Sequence, residues 1–164
     1  MKKITNDAYN TIFAELGRDW ALITAQKDGK VNTMTAAWGG IGVMWGKDVA
    51  FVVVRPTRYT KDFLDAGDTF SLSFLPAEHK KTLSYFGSVS GREEDKIAKS
   101  GLAIAREDDI PYFEAADKVL LLKKLYAQDM CPEAFVDTSL DAQWYPEHDY
   151  HTLYIAEITG VLEK

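Results

Sequence analysis

Residues 20–38 read WALITAQKDGKVNTMTAAW, and their pattern is the clearest indication of a β-rich fold in this sequence. Its first part, Trp20–Gln26, is an apolar run that is typical of a strand. Asp28-Gly29 supplies a tight turn, because glycine adopts the positive φ that hairpin turns require. The return strand covers Val31–Trp38. The stretch therefore predicts a β-hairpin.

Further strands are marked along the chain by β-branched or alternating apolar residues. One of them, Lys118–Gln128, is so rich in leucine that a helix stays open as an alternative. The glycine-rich segment over 39–46 is expected to be a loop that needs backbone freedom, with a nearby ligand as one possible reason. Together with the hairpin, these segments make about six strands. The additional strands are Val49–Val54, Thr69–Leu75, Lys118–Gln128 and Tyr150–Leu162.

Short helices are predicted between the strands from the helical spacing of apolar residues. Thr57 is the expected cap of a helix that ends at Gly67, and Gly87 and Gly101 are expected to end two later helices. The predicted helices are 4–16, Lys61–Ala66, 77–86 and 92–100, with a helical turn at Pro132–Phe135. Strands and helices do not alternate regularly, which argues against a doubly wound parallel sheet. We expect one domain over residues 1–164, mainly β with inserted helices, in which the sheet closes into a small barrel.

The composition is that of an ordinary globular chain of 164 residues, 46% apolar and 27% charged. Its net charge of −6 makes nucleic acid or an anionic membrane a poor expectation as a partner, since phosphate surfaces attract basic proteins. The apolar runs are far shorter than the ~20 residues of a membrane span. The N-terminus lacks the apolar stretch of a signal peptide. Because Cys131 is the one cysteine, no internal disulfide can form, and a reducing cytoplasm fits.

Signatures of catalysis and metal binding are weak in this sequence. His148 and His151 are the candidate metal ligands, but no cysteine or carboxylate pattern completes a site. His151 remains a candidate neutral hydrogen-bond donor to a ligand. No serine lies in a nucleophile motif, and the glycines at 40, 42 and 46 do not match the dinucleotide fingerprint. We therefore expect no metal and no catalytic residue of the protein's own.

Polar residues gather instead where strands end. Two of the clusters pair hydroxyl groups with guanidinium or ammonium groups, which is the chemistry that suits a phosphate. The alternative for each is an ordinary turn cap beside a solvated cation. The three clusters are Asn32, Thr33 and Thr35; Arg55, Thr57, Arg58 and Thr60; and Ser88, Ser90, Arg92 and Lys96.

The same segments carry a family resemblance, which extends in order over residues 20–162. They resemble the flavin reductase-like proteins with the FMN-binding split barrel, a group that includes flavoredoxin. The resemblance implies a six-stranded split β-barrel of Greek-key type that forms a homodimer, with FMN bound at the dimer interface. The segments are NTMTAAW at 32–38, GGIGVMW at 39–45, VRPTRYT at 54–60, SVSGREEDK at 88–96 and YHTLYIAEI at 150–158.

The resemblance also implies where FMN binds. The segment Asn32–Trp38 would run along the isoalloxazine ring, with Trp38 and Tyr59 as aromatic walls. The phosphate end would be held by Arg55, Arg58, Thr60, Ser88, Ser90 and Lys96. The complete set of implied FMN-binding residues is Asn32, Met34, Thr35, Ala36, Ala37, Trp38, Arg55, Arg58, Tyr59, Thr60, Ser88, Ser90, Gly91 and Lys96.

An oxidoreductase is the leading hypothesis, in which NADH or NADPH reduces the FMN and the electrons pass to an acceptor. Because this chemistry belongs mainly to the cofactor, the lack of an acid–base dyad does not argue against an enzyme. The first alternative is an FMN-binding electron carrier without its own nicotinamide reductase activity. The second is a non-redox binding module on the same barrel.

Overall fold

The computed structural model describes residues 10–164, and the predicted hairpin is present at its start. Strand β1 (Ala21–Lys27) pairs antiparallel with β2 (Lys30–Ala36), from Ala21 opposite Ala36 to Lys27 opposite Lys30. The two turn residues, Asp28 and Gly29, both have positive φ, at 50° and 75°. This is the two-residue turn whose twist matches that of the flanking strands.

The described part of the chain contains nine strands, rather than about six. Seven of them form one sheet in the order β2-β1-β5-β8-β9-β4-β3, and each neighbouring pair is antiparallel. The short strands β6 and β7 form a separate hairpin that was not predicted. The remaining bounds are β3 Gly39–Met44, β4 Lys47–Val54, β5 Thr69–Phe74, β6 Ile104–Glu107, β7 Ile110–Phe113, β8 Lys118–Asp129 and β9 Thr152–Glu163.

The large sheet is strongly curled, although its two edges do not pair. A flat sheet of this size would separate the edge strands β2 and β3 by roughly 29 Å, at about 4.8 Å per strand. The connection Ala37–Trp38 links them, and the three peptide steps from Ala36 to Gly39 span at most roughly 11 Å. The edges therefore approach each other at this connection. The predicted closure is wrong in one respect, because no ladder joins β2 to β3.

The core lies on both sides of β1, which explains why this strand is apolar throughout. Ala21, Ile23 and Ala25 belong to the cluster enclosed by the curled sheet. Leu22 belongs to a second cluster outside it, with Phe86 and other residues that come from α-helical and hairpin segments. All four are fully buried. A strand covered on both faces loses the alternation that a half-exposed strand shows.

Five short α-helices decorate the sheet in the described residues. The predicted helix over 4–16 is described only from residue 10 onward, where α1 continues into a π-helical turn over Glu15–Asp19. None of these helices has the length and hydropathy needed to cross a membrane. The bounds are α1 Ile12–Ala14, α2 Thr60–Ala66, α3 Lys80–Ser88, α4 Lys96–Ser100 and α5 Thr138–Trp144, with 3-10 turns at Ala77–His79 and Pro132–Ala134.

Three local predictions differ from the structure. Thr57 does not cap α2, which follows Tyr59 without a side-chain capping bond. Helix α3 continues through Gly87 to Ser88, whereas Gly101 ends α4 in the left-handed conformation as predicted. The expected glycine loop is wrong, because residues 39–44 form β3. A Cβ atom on Gly40 would lie 2.7 Å from the ring of Phe51 on β4, so this glycine permits close packing within the sheet.

Candidate functional site

Two adjoining cavities lie beside β2, and both are lined by side chains from segments distant in sequence. The first, which we call the aromatic cavity, has a volume of about 260 Å³. The second, the cationic cavity, has a volume of about 200 Å³ and shares Met34 and Arg58 with the first. The aromatic cavity is lined by Met34, Thr35, Ala36, Ala37, Trp38, Val53, Arg55, Arg58, Trp144 and His151. The cationic cavity is lined by Asn32, Met34, Thr57, Arg58, Tyr59, Thr60, Ser88, Val89, Ser90, Gly91 and Lys96.

The fourteen residues implied by the sequence resemblance all line one of these two cavities. The fold brings them together because β2 is an edge strand with α3 packed beside it. Thr35 donates a hydrogen bond to the carbonyl of Leu83 in α3. Gly87 lies so close to Thr35 that a Cβ atom added at position 87 would be 3.4 Å from the Cβ atom of Thr35. The segment after α3 is thereby held beside β2 and the segment after β4.

Two cations in the cationic cavity are bound to backbone carbonyl groups. Arg58 donates to the carbonyl of Gly87 at 2.6 Å, and Lys96 Nζ donates to the carbonyls of Phe86 and Val89, each at 2.9 Å. Neither side chain forms an ion pair with a carboxylate in the described chain. Their positive charges therefore stay available to an anion.

The electrostatic environment of Lys96 likewise contains positive charge that no carboxylate of the described chain neutralises. Only 3% of this residue is exposed. Burial and, second, the charge of Arg58 lower the pKa of Lys96 from 10.5 to about 8. Burial also lowers the pKa of Arg58. A bound anion would offset the cost of holding two like charges together in a partly desolvated place.

Asn32 and Thr60 form the buried polar wall of the cationic cavity. Asn32 Nδ2 donates to Thr60 Oγ1 at 2.9 Å. The hydroxyl proton of Thr60 has no acceptor among residues 10–164, so it can be donated to a ligand. Gly91 lies against this pair, and a Cβ on it would be 2.2 Å from Asn32 Oδ1. Any side chain at position 91 would displace Asn32.

Aromatic rings line the other cavity. Trp38 contacts Trp144 edge to face, with 4.9 Å between ring centroids, and lies 5.2 Å from the ring of His151. Both tryptophans are about two-fifths exposed, at 41% and 42%. His151 is buried, and burial followed by the charge of Arg55 lowers its pKa to about 4. The imidazole is therefore neutral near pH 7.

Two of the implied residues occupy places other than those expected. Arg55 lies on the aromatic cavity, where it pairs with Asp149 and donates to the carbonyl of Trp144 at 2.7 Å. Its charge is thus used to hold the connection between β8 and β9 against the cavity. Tyr59 lies on the cationic cavity, edge to face with Phe63 at 5.0 Å, and not beside Trp38.

Some lining residues were outside the predicted set. The sequence marked Thr57 as part of a basic and hydroxyl cluster, and His151 as a candidate neutral donor. Trp144 gave no signal, because it reaches the cavity from a long connection without a motif. Val53 and Val89 look like ordinary packing residues. The additional residues are Val53, Thr57, Val89, Trp144 and His151.

Several solved structures have the same fold. An FMN-binding protein from Thermus thermophilus, solved with 1-cyclohex-2-enone, is 25% identical over 88% of this chain and 69% of its own, with a TM-score of 0.68. Flavoredoxin of Desulfovibrio vulgaris is 24% identical over 100% of this chain and 77% of its own, with a TM-score of 0.70. The styrene monooxygenase flavin reductase from Pseudomonas putida is 17% identical over 88% and 80%, with a TM-score of 0.64.

No curated protein sequence matches the chain. The model of the flavin reductase like domain matches residues 13–164, which is nearly the whole sequence. This match covers every segment that lines the two cavities. The chain therefore belongs to the flavin reductase-like family.

Proposed function

We propose that this protein binds FMN across the two cavities and acts as an oxidoreductase of the flavin reductase type. Electrons would pass from NADH or NADPH through the FMN to an acceptor. The observation that carries the proposal is the pairing of an aromatic cavity with an adjoining cavity whose two cations have no carboxylate partner among residues 10–164. A flat aromatic ring joined to a phosphate matches both halves of this arrangement.

The residues fit FMN in size and in charge. The adjoining spaces of about 260 and 200 Å³ are each small, but taken together they fall within the roughly 300–1,000 Å³ of ordinary small-molecule sites. The phosphate would be held by Arg58, Lys96 and the free hydroxyl proton of Thr60. The ring would lie along Met34–Trp38 in the aromatic cavity. Because Trp38 and Trp144 are partly exposed, the aromatic cavity is open to a second flat molecule such as a nicotinamide.

Bound FMN would supply the hydride and electron transfer. The chain's own residues would bind the phosphate, orient the ring and exclude water from part of its surface. Neutral His151 would place a hydrogen-bonding group at the ring cavity. Two of the relatives are described as an FMN-binding protein and a flavin reductase, which supports FMN as the cofactor that we propose.

A homodimer is part of the same proposal. Strand β3 and its neighbourhood expose apolar side chains, among them Val43 at 75% and Trp45 at 59%. Ile41 and Met44 on the same edge strand are each 42% exposed. Exposed apolar side chains gathered along one edge strand are typical of interaction sites. A second copy of the chain would cover this patch.

The test is an absorption spectrum of protein that has been mixed with FMN and freed of unbound flavin, followed by anaerobic addition of NADH. A retained flavin spectrum that bleaches supports the proposal, and NADPH is added next if NADH has no effect. Retained flavin that neither nicotinamide bleaches favours an electron carrier, as the name of the relative flavoredoxin suggests. Failure to bind FMN at millimolar concentration would overturn the cofactor assignment.

A further inference from the structure

The connection between β8 and β9 places a buried tyrosine behind the aromatic cavity. Tyr145 is 4% exposed and does not line the cavity itself. Its ring stacks on that of Tyr150, with 4.9 Å between centroids, and meets the ring of His151 edge to face at 5.5 Å. The hydroxyl oxygen of Tyr145 lies 2.8 Å from His151 Nδ1.

Among residues 10–164, the single hydroxyl proton of Tyr145 has two acceptors within reach. One is His151 Nδ1 at 2.8 Å, and the other is the Sδ atom of Met130 at 3.5 Å. A thioether sulfur is a weak acceptor, whereas an unprotonated imidazole nitrogen is a strong one. The shorter contact is also the one to the better acceptor. This comparison favours donation from the hydroxyl to Nδ1.

The protonation of the imidazole follows from this bond. Of the charged groups near His151, Arg55 lowers its pKa and Asp149 raises it, and burial is the largest influence. A neutral ring carries one proton, and with Nδ1 accepting from Tyr145 that proton is on Nε2. Within residues 10–164, every buried side-chain nitrogen or oxygen has a hydrogen-bond partner. His151 Nε2 has no such partner there, so it cannot be one of the buried atoms. Nε2 is thus accessible, and the space that His151 borders is the aromatic cavity.

We propose that Tyr145 is a positioning residue, whose hydroxyl holds His151 in the Nε2–H form so that a hydrogen-bond donor faces the aromatic cavity. The ligand side of this inference rests on the proposed function: the donor would stabilise negative charge on a bound flavin ring. In the competing arrangement, the bond between Tyr145 and His151 has the opposite direction and the hydroxyl proton is directed at Met130. Nδ1–H would donate to Tyr145, whose hydroxyl would donate to Met130, and Nε2 would then be an acceptor that disfavours such charge.

The first test needs no flavin. Nitrogen-15 NMR of the three histidines reports which ring nitrogen carries the proton, and a His151→Gln variant assigns the signals. We expect a protonated Nε2 and an unprotonated Nδ1 in the wild-type protein at pH 7. In Tyr145→Phe the shifts should move toward a mixture of the two tautomers. Tyr150→Phe is the matched control, because its hydroxyl bonds Asp141 and His148 but not His151, so the His148 signal can change while the His151 signal should not. A proton on Nδ1 in the wild type would overturn the proposal.

The second test measures the reduction potential of bound FMN. We expect Tyr145→Phe to lose up to about tenfold in the preference for reduced over oxidised flavin, or about 30 mV for a two-electron couple. Tyr150→Phe should leave the potential unchanged. An equal shift in both variants, or a shift in His151→Gln but not in Tyr145→Phe, would contradict a positioning role. Wild-type protein that binds no flavin would count against the proposed function and leave the tautomer result standing.

Discussion

Lys96 and Arg58 bring two positive charges to the cationic cavity, and their hydrogen bonds in residues 10–164 all go to backbone carbonyl groups. A carbonyl group orients a cation but does not neutralise it. The difference matters because a carboxylate partner would compete with a ligand phosphate, whereas a carbonyl leaves the charge free to attract it. At the residue scale, the charge of Lys96 and the hydroxyl of Thr60 are the groups whose removal should weaken phosphate binding most selectively.

We expect the double variant Thr60→Val, Lys96→Met to bind FMN at least about 100-fold more weakly, since each of the two lost hydrogen bonds to the charged phosphate contributes about 1.5–3 kcal/mol. Riboflavin has the same ring without the phosphate, so its affinity should change little. Titration of flavin fluorescence measures both affinities. An unchanged FMN affinity would remove these residues from the phosphate site. A parallel loss of riboflavin binding would indicate a disturbed fold.

The protonation of Lys96 should make FMN affinity depend on pH. Its pKa is lowered to about 8 in the free protein by burial and by Arg58, and a bound phosphate would raise it again. Binding therefore takes up a proton above pH 8. The FMN dissociation constant should be flat from pH 7 to 8 and should then rise by up to about tenfold per pH unit. Lys96→Met should show weak binding without this rise. A flat profile in the wild type would contradict a direct role for Lys96.

Some site residues were predictable from sequence and others were not, for a physical reason. Arg58 and Thr60 lie within three residues of one another after a strand, so local chemistry is sufficient to mark them. Trp144 reaches the aromatic cavity from the connection between β8 and β9, which Arg55 contacts through Asp149 and the carbonyl of Trp144. That contact joins segments about ninety residues apart, which no local pattern reveals.

At the element scale, the two segments that form the cationic cavity are joined across its rim by Arg92. Its guanidinium lies 4.6 Å from the ring centroid of Tyr59 and pairs with Asp62 at 2.8 Å. It also donates to the carbonyl of Thr57 at 3.4 Å. Tyr59 and Asp62 follow β4, whereas Arg92 follows α3. Each contact is weak alone, but together they oppose separation of the two walls.

Loss of these contacts should speed the release of FMN. We expect Arg92→Ala to raise the dissociation rate about 3–10-fold, since an exposed ion pair and an exposed cation–π contact each contribute at most about 1 kcal/mol. Stopped-flow displacement measures the rate. Arg106→Ala is the matched control, because Arg106 forms a comparable exposed ion pair with Asp109 on the β6–β7 hairpin. Equal rates in the wild type and Arg92→Ala would show that the rim contacts do not control release.

Strands and turns were predictable where a sequence pattern is compatible with a single local structure. The β1–β2 hairpin is such a case, because Asp28-Gly29 fits few structures other than a tight turn. The glycines at 39 and 40 were compatible with either a flexible loop or a closely packed strand. The structure has a strand there, because Phe51 on β4 fills the space that their side chains would need. The β6–β7 hairpin turns at Asp108 and Asp109, both with positive φ, and aspartate is a weaker signal of that conformation than glycine.

At the scale of the whole molecule, the curled sheet leaves β3 as an unpaired edge with apolar side chains. Edge strands are usually protected by charge, by proline or by a covering element. Here Val43, Met44 and Trp45 are all exposed, and the two charged residues opposite them in the ladder are near the turn, where Asp48 pairs with Val43 and Lys47 with Met44. The sequence pattern could mark these residues as apolar. It could not show that they lie outside the core, since that depends on which strand ends the sheet.

A second copy of the chain is the occupant that we propose for this edge, and one substitution tests it. Val43→Lys would place a buried charge in the dimer interface, while in the monomer the new lysine would lie beside Asp48 at no cost to the fold. Sedimentation should give twice the 18.4 kDa chain mass for the wild type at micromolar concentration and about the chain mass for the variant. Val136→Lys is the control, because Val136 is fully exposed elsewhere and should leave the dimer intact. A wild-type monomer would contradict the dimer, and a dimeric Val43→Lys variant would exclude β3 from its interface.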